Sequence, residues 1–469
     1  MLIFLSIFLV HFVWLFYSTD YKYGLHDIKI KLPLLVFPII LSSIEPFGIR
    51  QRKILFSFFM LALLASTVIG IFILLGFTRK TVSDAREISV FISHIRLSLM
   101  LNLAVFSGIW IIMSEGKTFF QREKVVYFFL IIILSAFIFI LKSLTGIVVF
   151  LFLLVFALIW LALHAKNRKA KYVLIISVIL VPLILVGYST YCITKFYRVD
   201  TINFSSLEKK TISGHYYSHN LQSKEIENGH YVWLNLCEDE LKNGWNSRSR
   251  LVYDGKDLKG QEIKYTLIRY LTSKGLRKDS TGVRMLGEGD VKLIESGTAN
   301  YIYGNKWKLY PYIYRVLWEI RAYRLGGSPA GHSVTQRWLY LNISKDIIRQ
   351  HFWLGVGTGD VQKEFNKIYE TKYNYIPVQW RRRAHNQFVT FWISFGIIGF
   401  SIILFAFFFP VFARIKSASY LGYIFILIAI LSMLNEDTLE TQAGATFIAF
   451  FYSLFFVMAN PESQSKEIH

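Results

Sequence analysis

The sequence predicts an all-α polytopic membrane protein, with about ten transmembrane helices and one large, partly helical external loop. Three observations carry this. Stretches such as Val125–Leu141 and Val148–Leu163 hold no charged residue, and a hydrocarbon core of roughly 30 Å needs about 20 apolar helical residues to cross it. These stretches lack the two-residue alternation of barrel strands, so helices are the remaining way to pair every backbone polar group in lipid. Basic residues also cluster in alternate short loops, as the positive-inside rule expects of a multi-span chain. The average composition alone, 54% hydrophobic with a mean hydropathy of +0.42, does not separate membrane from soluble proteins. The distribution does.

In chain order the candidate spans are residues 2–18, 32–46, 54–77, 93–113, 125–141, 145–164, 172–192, 387–413, 419–434 and 443–459. The first lacks the basic start and small-residue cleavage site of a signal peptide, so it reads as a span. The fifth and sixth are joined by a tight turn, Leu141 to Gly146. Three regions follow from this: N-terminal membrane helices over 1–192, a large external loop over 193–386, and C-terminal membrane helices over 387–469. Arg50, Arg52 and Lys53 lie in one loop and Lys117, Arg122 and Lys124 two loops on. Lys166, Arg168, Lys169 and Lys171 lie two loops further, and Arg414 and Lys416 follow the eighth span. Ten spans put all four loops on one side, the cytoplasmic one, with Arg79, Lys80 and Arg86 mildly opposing. Ile193–Asn386 and the acidic run Asn435–Glu440 are then outside. So is Thr19–Lys31, a short loop whose only acids are Asp20 and Asp27.

The net charge of +21 points to anionic partners such as phosphates, diphosphates or lipid head groups. No nucleic-acid reader motif is present, so nucleic acid is not expected as a partner. Cys192 and Cys237 allow one disulfide but read more simply as two ordinary thiols. No zinc-ligand spacing occurs, and neither a metal nor another cofactor is expected. The external region is too long for a connector. It reads as polar in its first half and partly helical in its second. A mixed stretch opens at Gln261-Glu262-Ile263-Lys264, and Leu339, Ile343 and Ile347 mark a helix over Gln336–Gln350.

Several polar groups are candidates for chemistry. Arg381-Arg382-Arg383-Ala384-His385-Asn386-Gln387 stands directly before the eighth span. Arginine offers a planar fork suited to phosphate oxygens, and histidine exchanges protons near neutral pH. The alternative is that the arginines grip lipid head groups and His385 caps a helix. Gly355-Val356-Gly357-Thr358-Gly359 lacks the strand and βαβ context of a nucleotide fingerprint and reads as a tight turn. Arg337 lies near a helix start, where Ser333 or Thr335 is placed to cap. A cation gains nothing from the dipole there, which favours an anionic ligand, although a surface salt bridge serves equally. Arg198, with Lys195, follows the seventh span, where snorkelling is the plain reading. Arg96, with His94 and Ser98, sits at the outer end of the fourth and is either interfacial or functional. Glu436, Asp437 and Glu440 are expected to pair with basic residues near the site rather than to hold a metal.

Taken in order, these pieces resemble the O-antigen ligase and O-antigen polymerase superfamily. The resemblance rests on Arg337 at the head of a helix, then His351-Phe352-Trp353-Leu354-Gly355-Val356-Gly357-Thr358-Gly359-Asp360. His385-Asn386-Gln387, Phe395-Gly396-Ile397-Ile398-Gly399 and the run Glu436–Gly444 follow. Together these cover most of Val334–Phe456. The resemblance implies a metal-independent glycosyltransferase of the bacterial inner membrane with its site facing the periplasm. It would take a glycan from undecaprenyl diphosphate and, as a ligase, pass it to lipid A–core. The polymerase and protein O-oligosaccharyltransferase of the same superfamily are the alternatives, and a transporter or flippase of an anionic glycolipid is the non-enzymatic one. By the same resemblance His385 and Arg337 match the family's catalytic histidine and arginine. Arg198, Arg383, Asn386 and Arg96 are expected to bind substrate. Two departures stand out. The family has about twelve spans, and two absent from the N-terminus would preserve the orientation. Ser206–Asn300 looks like an insertion, which bears on the acceptor.

Overall fold

In the computed structural model the structure is described for residues 1–78, 85–114, 120–305, 309–414 and 418–458. Arg79, Lys80, Lys117, Lys416 and the last residue of the tenth expected span lie outside these. The chain divides into two compact units, residues 1–181 with 328–469, and residues 182–327. The division does not follow the expected membrane and loop boundaries, because residues 328–386 cluster with the apolar helices.

The helices in order are α1 (Leu2–Leu15), α2 (Tyr21–Lys31), α3 (Pro33–Ser42), α4 (Ile49–Leu74), α5 (His94–Met113), α6 (Gln121–Ile140), α7 (Leu144–His164) and α8 (Arg168–Tyr197). The second unit holds α9 (Glu238–Asn246), α10 (Ile263–Ser273), α11 (Ser280–Arg284), α12 (Glu288–Glu295) and α13 (Tyr310–Arg324). The first unit resumes with α14 (Ser333–Gln350), α15 (Val361–Lys372), α16 (Gln387–Ala413), α17 (Tyr420–Asn435) and α18 (Gln442–Tyr452), the last continued by a π turn over Ser453–Val457. Among the described residues, α4, α5, α6, α7, α8 and α16 are long and apolar enough to cross a membrane. α1, α17 and α18 are apolar but shorter. The protein is thus a multi-pass, mostly helical membrane protein, while the full count of ten spans is not established.

The second expected span is the weakest. It is α3, only 10 residues long, opening on Pro33. Before it, where a loop was expected, α2 forms. Asp20 caps α2 by accepting from the Tyr23 amide at 2.9 Å, and Asp27 and Lys31 pair one turn apart at 2.8 Å.

α5 is the centre of the first unit. It packs on α4, α6, α7 and α17, and 67% of its most apolar window is buried, against none for α8. Buried Asn102 on α5 donates to the carbonyls of Ser98 and Gly146 at 2.8 and 3.1 Å, tying α5 to the start of α7. On another side of the unit α1 lies along α16. Phe4 stacks on Tyr452 with ring centroids 4.0 Å apart, and Tyr452 donates to the Phe407 carbonyl at 2.6 Å.

α16 is not continuous. Gly396 has φ 59° and ψ −171°, a non-helical conformation that splits the helix. The glycine run covers the break. Val356 and Gly357 donate to the carbonyls of Ile393 and Ser394, both at 2.9 Å, and Ile397 donates to that of Phe352 at 2.8 Å. Backbone groups freed by the kink therefore find partners in the crossing loop. Gly355, with φ 69°, has no room for a side chain, since a Cβ there would stand 2.5 Å from the Gly396 amide nitrogen. The expected turn is present, but its work is to lock a broken helix.

The second unit has its own core, with Trp245, Tyr253, Leu267, Tyr270 and Ile294 buried in one cluster. The segment expected as an insertion supplies that cluster. Its only strands among the described residues, β1 (Ile226–Glu227) and β2 (His230–Tyr231), pair antiparallel. The turn between them, Asn228-Gly229, takes positive φ at both positions, as a tight hairpin requires. Cys192 and Cys237 are both buried free thiols, in keeping with the plainer reading of them.

Candidate functional site

Residues far apart in sequence converge, within the first unit, on the turn Glu436–Glu440 between α17 and α18. Glu436 is the hinge of one half. Arg337 Nη2 donates to Glu436 Oε1 at 2.7 Å, and His385 Nδ1 lies 3.4 Å from Glu436 Oε2. The carboxylate side chain is 5% exposed, whereas Arg337 and His385 are each 27% exposed. Both side chains thus lean on one buried carboxylate and keep a side open to solvent. Burial pushes the Glu436 carboxyl up, but the His385 hydrogen bond and the charges of His385, Arg337 and Arg96 outweigh it and hold it below the usual glutamate value. Arg337 Nε is buried and has no hydrogen-bond partner among the described residues, an orphan donor in a site built of charge.

α14 presents Arg337 and, one turn on, Tyr340, whose ring stacks on His385 at 5.6 Å and 26°. The Tyr340 hydroxyl donates to the Trp380 carbonyl at 2.9 Å. α14 begins at Ser333, earlier than its apolar spacing suggests, and its N-cap is His332 with no side-chain cap. Neither Ser333 nor Thr335 takes the expected capping role.

His385 itself has φ 51°, a left-handed conformation that is uncommon for a residue with a Cβ. Asp437 holds it there. Its carboxylate accepts the His385 amide at 3.1 Å and the Thr390 hydroxyl at 2.7 Å. Burial and neighbouring Glu440 raise the Asp437 carboxyl above the usual aspartate value, against the opposing pull of Thr390, His385 and Arg383. Asn386 follows as the N-cap of α16, accepting from the Val389 amide at 3.1 Å and donating to the Leu434 carbonyl at 2.8 Å. Arg96, at the head of α5, donates to the Asp437 carbonyl at 3.3 Å and to Ser93 Oγ at 3.1 Å.

The other half of the turn is closed. Glu440 takes Arg383 Nη1 at 3.2 Å, Gln387 Nε2 at 3.1 Å and Lys31 Nζ at 3.1 Å. Lys31, fully buried, also meets Asp27. Arg383 further donates to the Tyr23 hydroxyl and lies 4.9 Å over its ring. Burial opposes the Glu440 charge, but Lys31, Arg383 and Gln387 hold its carboxyl far below the ordinary value. The acidic run thus pairs with basic residues, as its sequence suggested. Among the described residues no group of three or more His, Cys, Asp or Glu side chains gathers as a metal would need.

Of the sequence candidates, Arg337, His385, Asn386, Arg383 and Arg96 come together. Arg198 is exposed past the end of α8 in the second unit. The three consecutive arginines part company: Arg383 pairs with Glu440, its side chain 12% exposed, while Arg381 turns away to the Ile376 carbonyl at 3.0 Å. Sequence reasoning missed Lys31, Tyr23, Thr390 and Tyr340. The Asp27–Lys31 spacing was the one signal for the first of these.

Residues 309–404 match a family model described as O-Antigen ligase. Over these residues, about a fifth of the chain, the protein is similar to O-antigen ligases. No curated protein matches the chain. The ligase match covers α14, α15, the glycine run, His385 and α16 as far as residue 404, its break included. The acidic turn that anchors Arg337 and His385 lies beyond its end, so the site is completed by α17, α18 and the N-terminal helices.

Proposed function

We propose that this protein is a membrane glycosyltransferase. It moves a glycan from undecaprenyl diphosphate to an acceptor hydroxyl on the periplasmic face of the bacterial inner membrane, acting as an O-antigen ligase on lipid A–core. The observation that carries this is the meeting of Arg337 and His385 on Glu436, each with an open side, beneath a family match to O-antigen ligases. In this reading the bond between the sugar and the diphosphate oxygen breaks, and the diphosphate leaves with the electron pair. Arg337, with its orphan Nε donor, stabilises the charge that develops there. A hydrogen bond to Glu436 puts the imidazole proton on Nδ1 and leaves Nε2 as the acceptor. His385 Nε2 then takes the proton of the acceptor hydroxyl as the new glycosidic bond forms. Arg96 and Asn386 border the same turn and are assigned to substrate binding; Arg198, which the family resemblance also suggested for substrate, belongs to the second unit and has no part in the arrangement around Glu436. Arg383 was expected to bind substrate directly; its closed ion pair favours an indirect part, holding the segment that carries His385.

A path for the polyprenyl chain fits this assignment. A largely apolar groove of about 390 Å³ is lined by Phe37, Phe59, Met100, Ala443, Phe447 and Phe450, with Thr446 and Phe451. Met100 stands one turn from Arg96 on α5, and Ala443 three residues past Glu440, so the groove opens next to the acidic turn.

Purified protein given an undecaprenyl-diphosphate-linked glycan and lipid A–core is expected to yield the glycosylated lipid. Glycan on a second lipid-linked unit or on a protein hydroxyl would instead assign the polymerase or oligosaccharyltransferase activity. Transbilayer movement of the donor without any transfer would overturn the enzyme reading for the transporter. The topology has its own check. Lys53 pairs with Glu123, and Ser57 with Tyr127 at 2.6 Å, so the basic starts of α4 and α6 lie on one side as expected. A cysteine in place of Ser280 should react with an impermeant thiol reagent in intact spheroplasts, and labelling only after lysis would reverse the orientation.

A further inference from the structure

The exposed side of α14 carries one stripe. Trp338, Leu341, Lys345 and Arg349 are exposed at spacings of three and four residues, and Phe352, Trp353 and Leu354 continue it beyond the helix end. Residues three and four apart share a helix face. Trp353 is 68% exposed. Aromatic rings with two cations between them are poor surface for water and good surface for a bilayer boundary, where rings sit at head-group level and long basic side chains snorkel.

The fold fixes where this stripe lies. Two adjacent apolar helices reach the same level. α1 ends at Leu15, and α16 restarts at Ile397 after its break. Trp14 packs its ring edge against Phe395, centroids 6.0 Å apart. From that level α16 runs to Ala413, about 25 Å at 1.5 Å per residue, close to the thickness of a hydrocarbon core. The piece before the break, Gln387–Phe395, instead puts Gln387 and Thr390 on the buried acidic turn. The end of the stripe is bonded at the level of the break. Trp14 Nε1 donates to the Leu354 carbonyl at 2.7 Å, and Ile397 donates to the Phe352 carbonyl at 2.8 Å.

We propose that α14 and the turn Phe352–Leu354 form a platform seated on the lipid bilayer, at the boundary between head groups and acyl chains, and that only the second part of α16 crosses the membrane. The partner is the anionic lipid surface itself. Lys345 and Arg349 meet lipid phosphates, and Trp338, Leu341, Phe352, Trp353 and Leu354 enter the outer edge of the acyl region. The inference does not depend on the glycosyl-transfer reading. It gives part of the external loop 193–386 a seat on the bilayer surface.

The test uses the full chain in vesicles of phosphatidylcholine and phosphatidylglycerol, with a nitroxide attached at Leu341→Cys, Trp353→Cys or, as an aqueous reference, Glu370→Cys on the exposed side of α15. Collision with oxygen, which concentrates in lipid, is expected to exceed collision with a water-soluble nickel chelate at positions 341 and 353. The order should reverse at position 370. Two independent positions guard against one substitution disturbing the fold. Greater nickel than oxygen accessibility at both 341 and 353 would overturn the proposal, whatever the transfer activity of the same samples.

Discussion

The acidic turn has two halves built from the same chemistry and finished differently. Glu440 is enclosed by Lys31, Arg383 and Gln387, with its main cation, Lys31, at 0% exposure. Glu436 carries Arg337 and His385, each about a quarter exposed. A carboxylate whose oxygens are already taken by a buried lysine, an arginine and an amide has no capacity left for a ligand. One whose partners face outward orients them and leaves their outer donors and acceptors for a substrate. The closed half therefore reads as structure and the open half as chemistry, although only three residues separate the two carboxylates.

The largest expected effect breaks the open half. Arg337→Ala and His385→Ala should each lower transfer about a hundredfold or more, measured per folded protein in detergent. Near-normal transfer in both, at normal protein levels, would remove the proposed site. Arg337→Lys keeps the charge but not the fork, so its turnover should still fall. His385→Gln separates two roles, because glutamine bonds an acceptor hydroxyl but takes no proton from it. Substantial remaining turnover would assign His385 to positioning.

Breaking the closed half should show the opposite signature. Lys31→Met leaves Glu440 and Asp27 with an uncompensated buried charge, and loss of one partner of a buried pair costs roughly 3 kcal/mol or more. A drop in thermal stability of the purified protein is expected, with lost transfer following lost protein. Full stability with lost transfer would move Lys31 into the open half. Acid should weaken both halves by linkage. Glu436 and Glu440 titrate below the ordinary glutamate value of 4.5, so their stabilisation is complete above that value and is lost as pH falls beneath it. Asp437, raised above 3.8, acts in the other direction, favouring the fold while protonated and losing that contribution as pH rises through its folded value. Unfolding followed from pH 6 to pH 3 should therefore show a net loss, smaller in Glu440→Gln. The smallest expected effect is that of a chelator. The three carboxylates of the turn are already engaged by cations and donors, so transfer should persist in EDTA. Loss restored by a divalent ion would mean that the turn opens to hold one.

The sequence candidates that proved close in space were those attached to a visible boundary. His385 and Asn386 directly precede a long apolar run, Arg337 heads a periodic helix, and Arg96 stands at the end of another span. Charge at the end of an apolar segment is legible because the membrane makes it costly to place. Lys31 and Tyr23 were not legible in this way. They sit in an 11-residue helix of mixed polarity that reads as a connector, and what makes them part of the turn is the packing of α2 beneath it. The glycine run was read as a turn, and only its contact with Gly396 shows what the turn is for.

By itself, then, the sequence determined the class of fold, and it supplied an expected sidedness for the basic loops and a set of candidate site residues. Those follow from hydropathy, charge and order along the chain, which act through local length and period. The tertiary structure alone decided which carboxylate each cation meets, that α16 is broken and patched by residues 352–357, and that His385 is held left-handed by Asp437. Each of these depends on partners between about 40 and 410 residues away, brought together by helix packing, and no local period records such a distance.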